Sequence, residues 1–259
     1  MNFWVLIPAR VNSTRLPNKP LLDLAGKPMI AHVIQAAKLS GAQRIVVATD
    51  DDRVIKITER FDAEGIMTDV NHPSGSDRIL EALKVMKADD DQIVVNLQGD
   101  EPLIPHKLIR KVAELKYKTP ESSVATVATP IKDITEIPNS NCVKVILNMK
   151  NEAIYFSRSV IPYNRNEGNK NGILHSDKKV QGSSFVYLRH LGIYSFTIGD
   201  LKKFVSWGPC LLELNEKLEQ LRWLWNKKSI KVIIEYDEPA PGVDTEQDLK
   251  KIRLLLKNK

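Results

Sequence analysis

The chain has 259 residues, a mass of 29.3 kDa, 42% apolar and 27% charged residues, and a formal net charge of +6. This balance excludes wholesale disorder, and 12 Gly with 14 Pro exclude collagen-like and low-complexity classes. No uninterrupted apolar run approaches the roughly 20 residues that a bilayer span needs, which excludes a membrane-spanning helix.

Phe3 to Ile7 is a short apolar run closed by Pro8, the pattern of a buried parallel strand. It lacks a basic lead-in and Arg10 follows at once, so a signal peptide is not expected and a cytoplasmic location is. Met29, Ile30, Val33, Ile34 and Ala37 recur at helical spacing over 29–38, with Gly41 as the stop. Arg44 to Thr49 is the next strand, and Asp50 to Asp52 are placed to cap a helix around Val54 to Arg60. Gln92 to Leu97 is a third strand, and Leu108, Val112 and Leu115 mark a further amphipathic helix. Strand–helix alternation with short connections predicts right-handed βαβ units and a mostly parallel sheet. Strands are expected at 123–129, 143–147 and 153–156, a polar loop at 163–184, one amphipathic helix over 211–226, and a strand at 230–235. Thr245 with Asp248 resembles a capping box at the start of a closing helix that carries Leu249, Ile252 and Leu256. No composition shift marks a linker, so one domain spanning 1–259 is expected.

Ligands in parallel sheets sit at the carboxyl ends of the strands, so the loops there carry the chemistry. The loop after the first strand, from Pro8 to Pro20, holds three cations, Arg10, Arg15 and Lys19, and no glycine. It is neither a Walker A loop nor a dinucleotide fingerprint; a phosphate held here would rest on side-chain charge. Gln98-Gly99-Asp100-Glu101-Pro102 puts a carboxylate after an apolar strand, suited to a Mg2+ that takes its other ligands from phosphate and water, or to a helix cap. Asp244, in Gly242-Val243-Asp244-Thr245, is a possible second carboxylate or a turn residue. Ser74 and Gly75 offer hydroxyl and backbone groups to a base, or merely cap a helix. His190, within Arg189 to Tyr194, suits a structural role as well as a functional one. Cys142 and Cys210 are far apart and read as two packed thiols. The cations are spread along the chain without a basic block, so nucleic acid is not an expected partner.

Taken together, the motifs follow one known order: Ile7-Pro8-Ala9-Arg10, Ser13-Thr14-Arg15-Leu16-Pro17-Asn18-Lys19-Pro20-Leu21, Val47-Ala48-Thr49-Asp50, Ser74-Gly75-Ser76-Asp77-Arg78, Gln98-Gly99-Asp100-Glu101-Pro102, Tyr155-Phe156-Ser157-Arg158, Arg189-His190-Leu191-Gly192-Ile193-Tyr194, Leu218-Glu219-Gln220-Leu221-Arg222 and Gly242-Val243-Asp244-Thr245. From residue 3 to about residue 253 the chain closely resembles the 3-deoxy-manno-octulosonate (Kdo) cytidylyltransferases. The resemblance implies a Rossmann-like α/β nucleotidyltransferase fold. Its nucleotide-binding half would take about 1–130, a smaller β-containing sugar-binding and dimerisation half 131–235, and a return to the nucleotide half 236–259.

It also implies transfer of CMP from CTP to Kdo for lipopolysaccharide synthesis, with Mg2+ and a homodimer. Arg10 and Lys19 would bind the CTP phosphates, and Asp100 and Asp244 would hold Mg2+. Ala9, Ser74, Gly75, Arg78 and Gln98 would hold the nucleotide. Arg15, Gln98, Arg158, His190, Tyr194, Glu213 and Gln220 would meet the sugar, and 163–184 would cover it as a mobile flap. Asn18 stands where the family commonly has Gly, and Ser76-Asp77 where it has Thr-Glu. These departures leave room for a variant sugar such as 8-amino-Kdo. A non-catalytic binding protein on the same fold is the rival of another class.

Overall fold

The computed structural model describes residues 1–12, 15–165 and 185–257. Strand β1 (Trp4–Ala9) sends Val5 and Ile7 into one apolar cluster and Leu6 into another, so both of its faces are buried and its sequence shows no polar alternation. A small hairpin of β2 (Asp23–Leu24) and β3 (Lys27–Pro28) leads into α1 (Met29–Leu39). Gly41, at φ 78°, takes the left-handed turn just past that helix's cap, Ser40. Then come β4 (Arg44–Thr49), α2 (Asp52–Arg60) and β5 (Glu64–Met67). Asp51 caps α2, its carboxylate accepting from the Arg53 amide at 2.8 Å. Next are α3 (Gly75–Val85), β6 (Ile93–Asn96), α4 (His106–Lys118) and β7 (Val124–Pro130). The second half adds β8 (Lys144–Leu147), β9 (Ala153–Ser157), β10 (Leu188–Thr197), α5 (Ile198–Ser206), α6 (Leu211–Glu216), α7 (Leu221–Trp225), β11 (Ile230–Ile234) and α8 (Glu246–Lys257).

Among the described residues, nine strands form one sheet in the order β11-β7-β10-β6-β1-β4-β5, with β8 on β10 and β9 on β8. Along that path β10 alone runs antiparallel to its neighbours. The expected mostly parallel sheet with flanking helices is what forms. One apolar cluster joins it to α1 and α4, and a second joins its other face to α3, α5 and α7. This topology gathers the carboxyl ends of β1, β4, β6 and β11 on one edge, together with the amino end of the reversed β10. The chain segments leaving or entering there carry Arg10, Arg15, Lys19, Asp50, Gln98 to Glu101, Asp244 and His190.

The single helix expected over 211–226 is two short helices, α6 and α7. Lys217, in the left-handed region at φ 54°, ends the first. The break frees the Glu216 carboxylate to accept from Ser157 Oγ at 2.6 Å and the Arg158 amide at 2.9 Å, while Leu218, Leu221 and Trp223 turn into the core. Thr245 and Asp248 do form the reciprocal cap at the start of α8: the Thr245 amide donates to Asp248 Oδ2 at 2.9 Å and the Asp248 amide to Thr245 Oγ1 at 3.2 Å. The 163–184 loop lies outside the described residues apart from 163–165, as do Ser13 and Thr14 of the first loop.

Candidate active site

Lys19 stands at the start of a 3-10 turn that follows Asn18. Asn18 is in the left-handed region at φ 55°, which Gly enters freely and Asn enters more readily than most residues, so the exchange at this position keeps the backbone path. Its Oδ1 also accepts from Arg53 Nη2 at 2.7 Å. Lys19 Nζ donates to Asp100 Oδ2 at 2.6 Å and to Asp244 Oδ1 at 2.9 Å, and Arg15 Nη2 reaches the same Asp244 oxygen at 3.3 Å. Burial works against the Lys19 ammonium, but Asp100 and then Asp244 outweigh it and hold the amine above its ordinary pKa. Two carboxylates from distant parts of the chain therefore converge on one cation. The Asp244 loop is anchored to β6's exit by the Val243 amide, which donates to the Asp100 carbonyl at 2.8 Å.

Two cavities meet at this point, and Arg15, Gln98, Asp100 and Asp244 line both. The smaller, about 240 Å³, is walled by Ala9, Arg10, Lys19, His72, Ser74, Gly75 and Arg78. Close packing shapes it: a Cβ on Gly99 would come within 3.0 Å of the Pro8 carbonyl oxygen, so only glycine fits there without a shift. Ser74 caps α3, and the Asp77 amide donates to its Oγ at 3.3 Å. Arg78 is buried and committed: Nη2 pairs with Asp50 Oδ2 at 3.1 Å and Nη1 donates to Thr68 Oγ1 at 2.6 Å. These contacts make it a support of the cavity wall. Arg10, Arg15 and Lys19 are the cations facing this space.

The larger cavity, about 530 Å³, is lined by Glu101, Asn139, Asn141, Cys142, Arg189 and His190 beside the shared residues. His190 has both ring nitrogens engaged: Nε2 meets Thr126 Oγ1 at 3.0 Å, and Gln220 Nε2 approaches Nδ1 at 3.5 Å. Thr126 Oγ1 in turn donates to the Ile193 carbonyl at 2.7 Å. With the proton on Nε2, the ring donates to Thr126 Oγ1, Thr126 donates to the Ile193 carbonyl, and Nδ1 is left to accept from Gln220. Burial lowers the His190 pKa to about 3, so the ring is neutral. Tyr194 lies 5.4 Å from that ring, centroid to centroid, and lines a small adjoining void with Asn96, Glu219 and Gln220. Burial raises the pKa of Tyr194 and of Glu219.

Four expected sugar residues line neither cavity: Tyr194 and Gln220 bound only the small void, and Arg158 and Glu213 stand apart from all three spaces. Arg158 gives its guanidinium to backbone carbonyls, Nε to Glu216 at 2.7 Å and Nη1 to Ser140 at 2.9 Å. Glu213 pairs with Arg222 at 2.6 and 2.8 Å and accepts from the Cys210 amide at 3.3 Å. Conversely, Glu101, Arg189, Asn139, Asn141 and Glu219 were not singled out, although three of them sit inside quoted motifs. Glu101 is raised to about 8 by burial first and the neighbouring Asp100 charge second. Arg189 bridges Glu136 at 3.3 Å and Glu238 at 3.1 Å, tying two loops across the cavity. Nothing in spacing marks such a bridge, because its partners come from segments far apart in sequence. Cys142 and Cys210 are free, buried thiols.

Among the described residues, no group of three or more His, Cys, Asp and Glu side chains is arranged to hold a metal ion. Asp100 and Asp244 offer a two-carboxylate oxygen site, which suits a hard divalent cation that takes its other ligands from phosphate and water.

A family model described as Cytidylyltransferase matches residues 4–230. A 3-deoxy-manno-octulosonate cytidylyltransferase of Haemophilus influenzae (strain PittEE) is 47% identical over 256 residues, 99% of each chain. One of Coxiella burnetii (strain Dugway 5J108-111) is 45% identical over 253 residues, 98% of this chain and 99% of that one. A solved structure of CMP:2-keto-3-deoxy-manno-octonic acid synthetase complexed with CTP superposes with a TM-score of 0.87 at 37% identity, covering 100% of this chain and 99% of the other.

Proposed function

The chain belongs to the 3-deoxy-manno-octulosonate cytidylyltransferase family, and on that premise we propose that it transfers CMP from CTP to Kdo, releasing pyrophosphate. The observation that carries the reading is the meeting of two cavities at Asp100 and Asp244, with Lys19 bound to both carboxylates. One cavity takes the nucleotide and the other the sugar, and the reacting atoms meet where they join.

In the reaction the anomeric oxygen of Kdo forms a bond to the α-phosphorus. The bond from that phosphorus to the bridging oxygen breaks, and pyrophosphate leaves with the electron pair. Such a transfer depends on in-line positioning and charge neutralisation more than on covalent chemistry. Arg10 and Lys19 neutralise the phosphates, and the backbone around Ser74 and Gly75 bounds the nucleotide. Gln98, which lines both cavities, holds the two substrates against each other. Neutral His190, held by Thr126 and Gln220, gives the sugar a wall that carries no charge. Asp100 and Asp244 would hold Mg2+, whose contribution when bound is to offset phosphate charge and lower the pKa of the attacking hydroxyl. The convergence of both carboxylates on the Lys19 ammonium supports that assignment, since they already share one cation.

The protein acts as a cytoplasmic homodimer that serves lipopolysaccharide synthesis. The dimer is supported by exposed apolar side chains on neighbouring elements, Ile154 on β9, Leu211 and Leu214 on α6 and Trp225 on α7. Among the described residues no helix is long and apolar enough to cross a membrane. Incubation with CTP and Kdo, followed by mass spectrometry, should show CMP-Kdo. Unconsumed CTP would contradict the reading.

A further inference from the structure

Lys144 is fully buried in β8, yet it pairs with no carboxylate among the described residues. Its Nζ donates to three backbone carbonyls, Cys142 at 2.6 Å, Arg158 at 2.7 Å and Asn139 at 2.9 Å. An ammonium has three protons, and all three are used. Two of the acceptors belong to the loop 139–142 and the third to the end of β9. From the other side Arg158 returns to the same loop, its Nη1 on the Ser140 carbonyl at 2.9 Å, while its Nε fixes the end of α6 through the Glu216 carbonyl. The loop also closes on itself, the Cys142 amide donating to the Asn139 carbonyl at 3.1 Å. Immediately after it, the His190 amide donates to the Val143 carbonyl at 2.8 Å. Asn139, Asn141 and Cys142 of this loop line the larger cavity.

We propose that Lys144 and Arg158 form a two-cation clamp that shapes residues 139–142 into a wall of the acidic-sugar site, which makes Lys144 a positioning residue for the sugar. The inference rests on the assignment of the larger cavity to the sugar. The clamp replaces side-chain contacts that a short polar loop cannot make with the core, and it holds Asn139 and Asn141 at the cavity, where the Asn141 amide donates to Asn139 Oδ1 at 2.9 Å and the Asn141 side chain is placed to meet sugar hydroxyls. Losing the ammonium strands three buried carbonyls, so the loop must open to solvent.

Cys142 reports on the loop, and Cys210, buried elsewhere, serves as an internal control. In the wild type, saturating Kdo should slow labelling of Cys142 by a thiol reagent and leave Cys210 unchanged. In Lys144→Met, Cys142 should label roughly tenfold faster with Cys210 unchanged, and the KM for Kdo should rise about tenfold while the KM for CTP holds. Unchanged labelling of Cys142 in the folded variant, or the two KM values rising together, would overturn the clamp as a positioning device. Should Lys144→Met not fold, Asn141→Ala tests the wall directly: a higher KM for Kdo alone supports it, and an unchanged one overturns it. Protection of Cys142 by Kdo without turnover would sink the catalytic reading and leave the wall standing. Turnover without that protection would do the reverse.

Discussion

Lys19 donates to two carboxylates that reach it from opposite parts of the chain, and it is the better shielded of the cations around them. Its side chain is 13% exposed, against 62% for Arg15, which meets the same Asp244. An exposed pair such as Arg15–Asp244 is worth roughly 0–1 kcal/mol, so Lys19 sets the geometry. The Arg78–Asp50 pair is different again, with both side chains 3% exposed. Asp50→Ala leaves a buried guanidinium that keeps its bond to Thr68 but has lost its charge partner, and a loss of about 3–5 kcal/mol is expected in urea unfolding. A loss under roughly 1 kcal/mol would put that pair in the class of surface ion pairs. His190 supplies a pH signature. Its pKa falls from 6.5 to about 3 on folding, so below 6.5 the unfolded chain binds a proton that the folded chain refuses. Stability should therefore decline as pH drops from 6.5 toward about 3, and His190→Gln should flatten part of that decline. An identical pH slope in the variant would contradict a buried, neutral ring.

Helix α6 stops at Lys217, a non-glycine residue at φ 54°. Lys217→Gly removes the clash between Cβ and backbone that this region imposes, and a gain of about 0.5 kcal/mol is expected in urea unfolding, net of glycine's entropy. A destabilised variant would mean that the lysine side chain supports the turn. This break also shows where periodicity misleads. The apolar residues of 211–226 fit one helical stripe, but Glu213 and Glu216 have partners on α7 and β9 that a straight helix cannot serve together. Strands β1, β4 and β6 were readable because burial on both faces demands unbroken apolar runs. The caps at Asp51 and Thr245 were readable because they act within three residues. Arg158 and Glu213 were not: each motif marks a residue type, and what the side chain touches depends on segments brought together only by folding.

The whole molecule gathers its chemistry on one sheet edge, where the exits of β1, β6 and β11 meet the entry of β10. Lys19, Asp100 and Asp244 were legible as a loop cation and two loop carboxylates beside regular elements, each open to a cap or turn reading alone, and only the family resemblance joined them into one expected site. Arg189, which ties the 136 and 238 loops across the larger cavity, is visible only in three dimensions. The exposed apolar side chains on β9, α6 and α7 lead to the expectation of a dimer at micromolar concentration by sedimentation. A monomer throughout that range would contradict it. The Asp100–Asp244 pair is the proposed meeting point of CTP and Kdo. Pyrophosphate release from CTP, measured with Kdo, 8-amino-Kdo or sialic acid, with Mg2+ or with EDTA, tests it most directly, with Asp100→Asn as the companion variant. Release is expected with Kdo, abolished by EDTA and reduced roughly a hundredfold or more in folded Asp100→Asn; near-normal release by that variant, or none with any sugar, would contradict the proposed site.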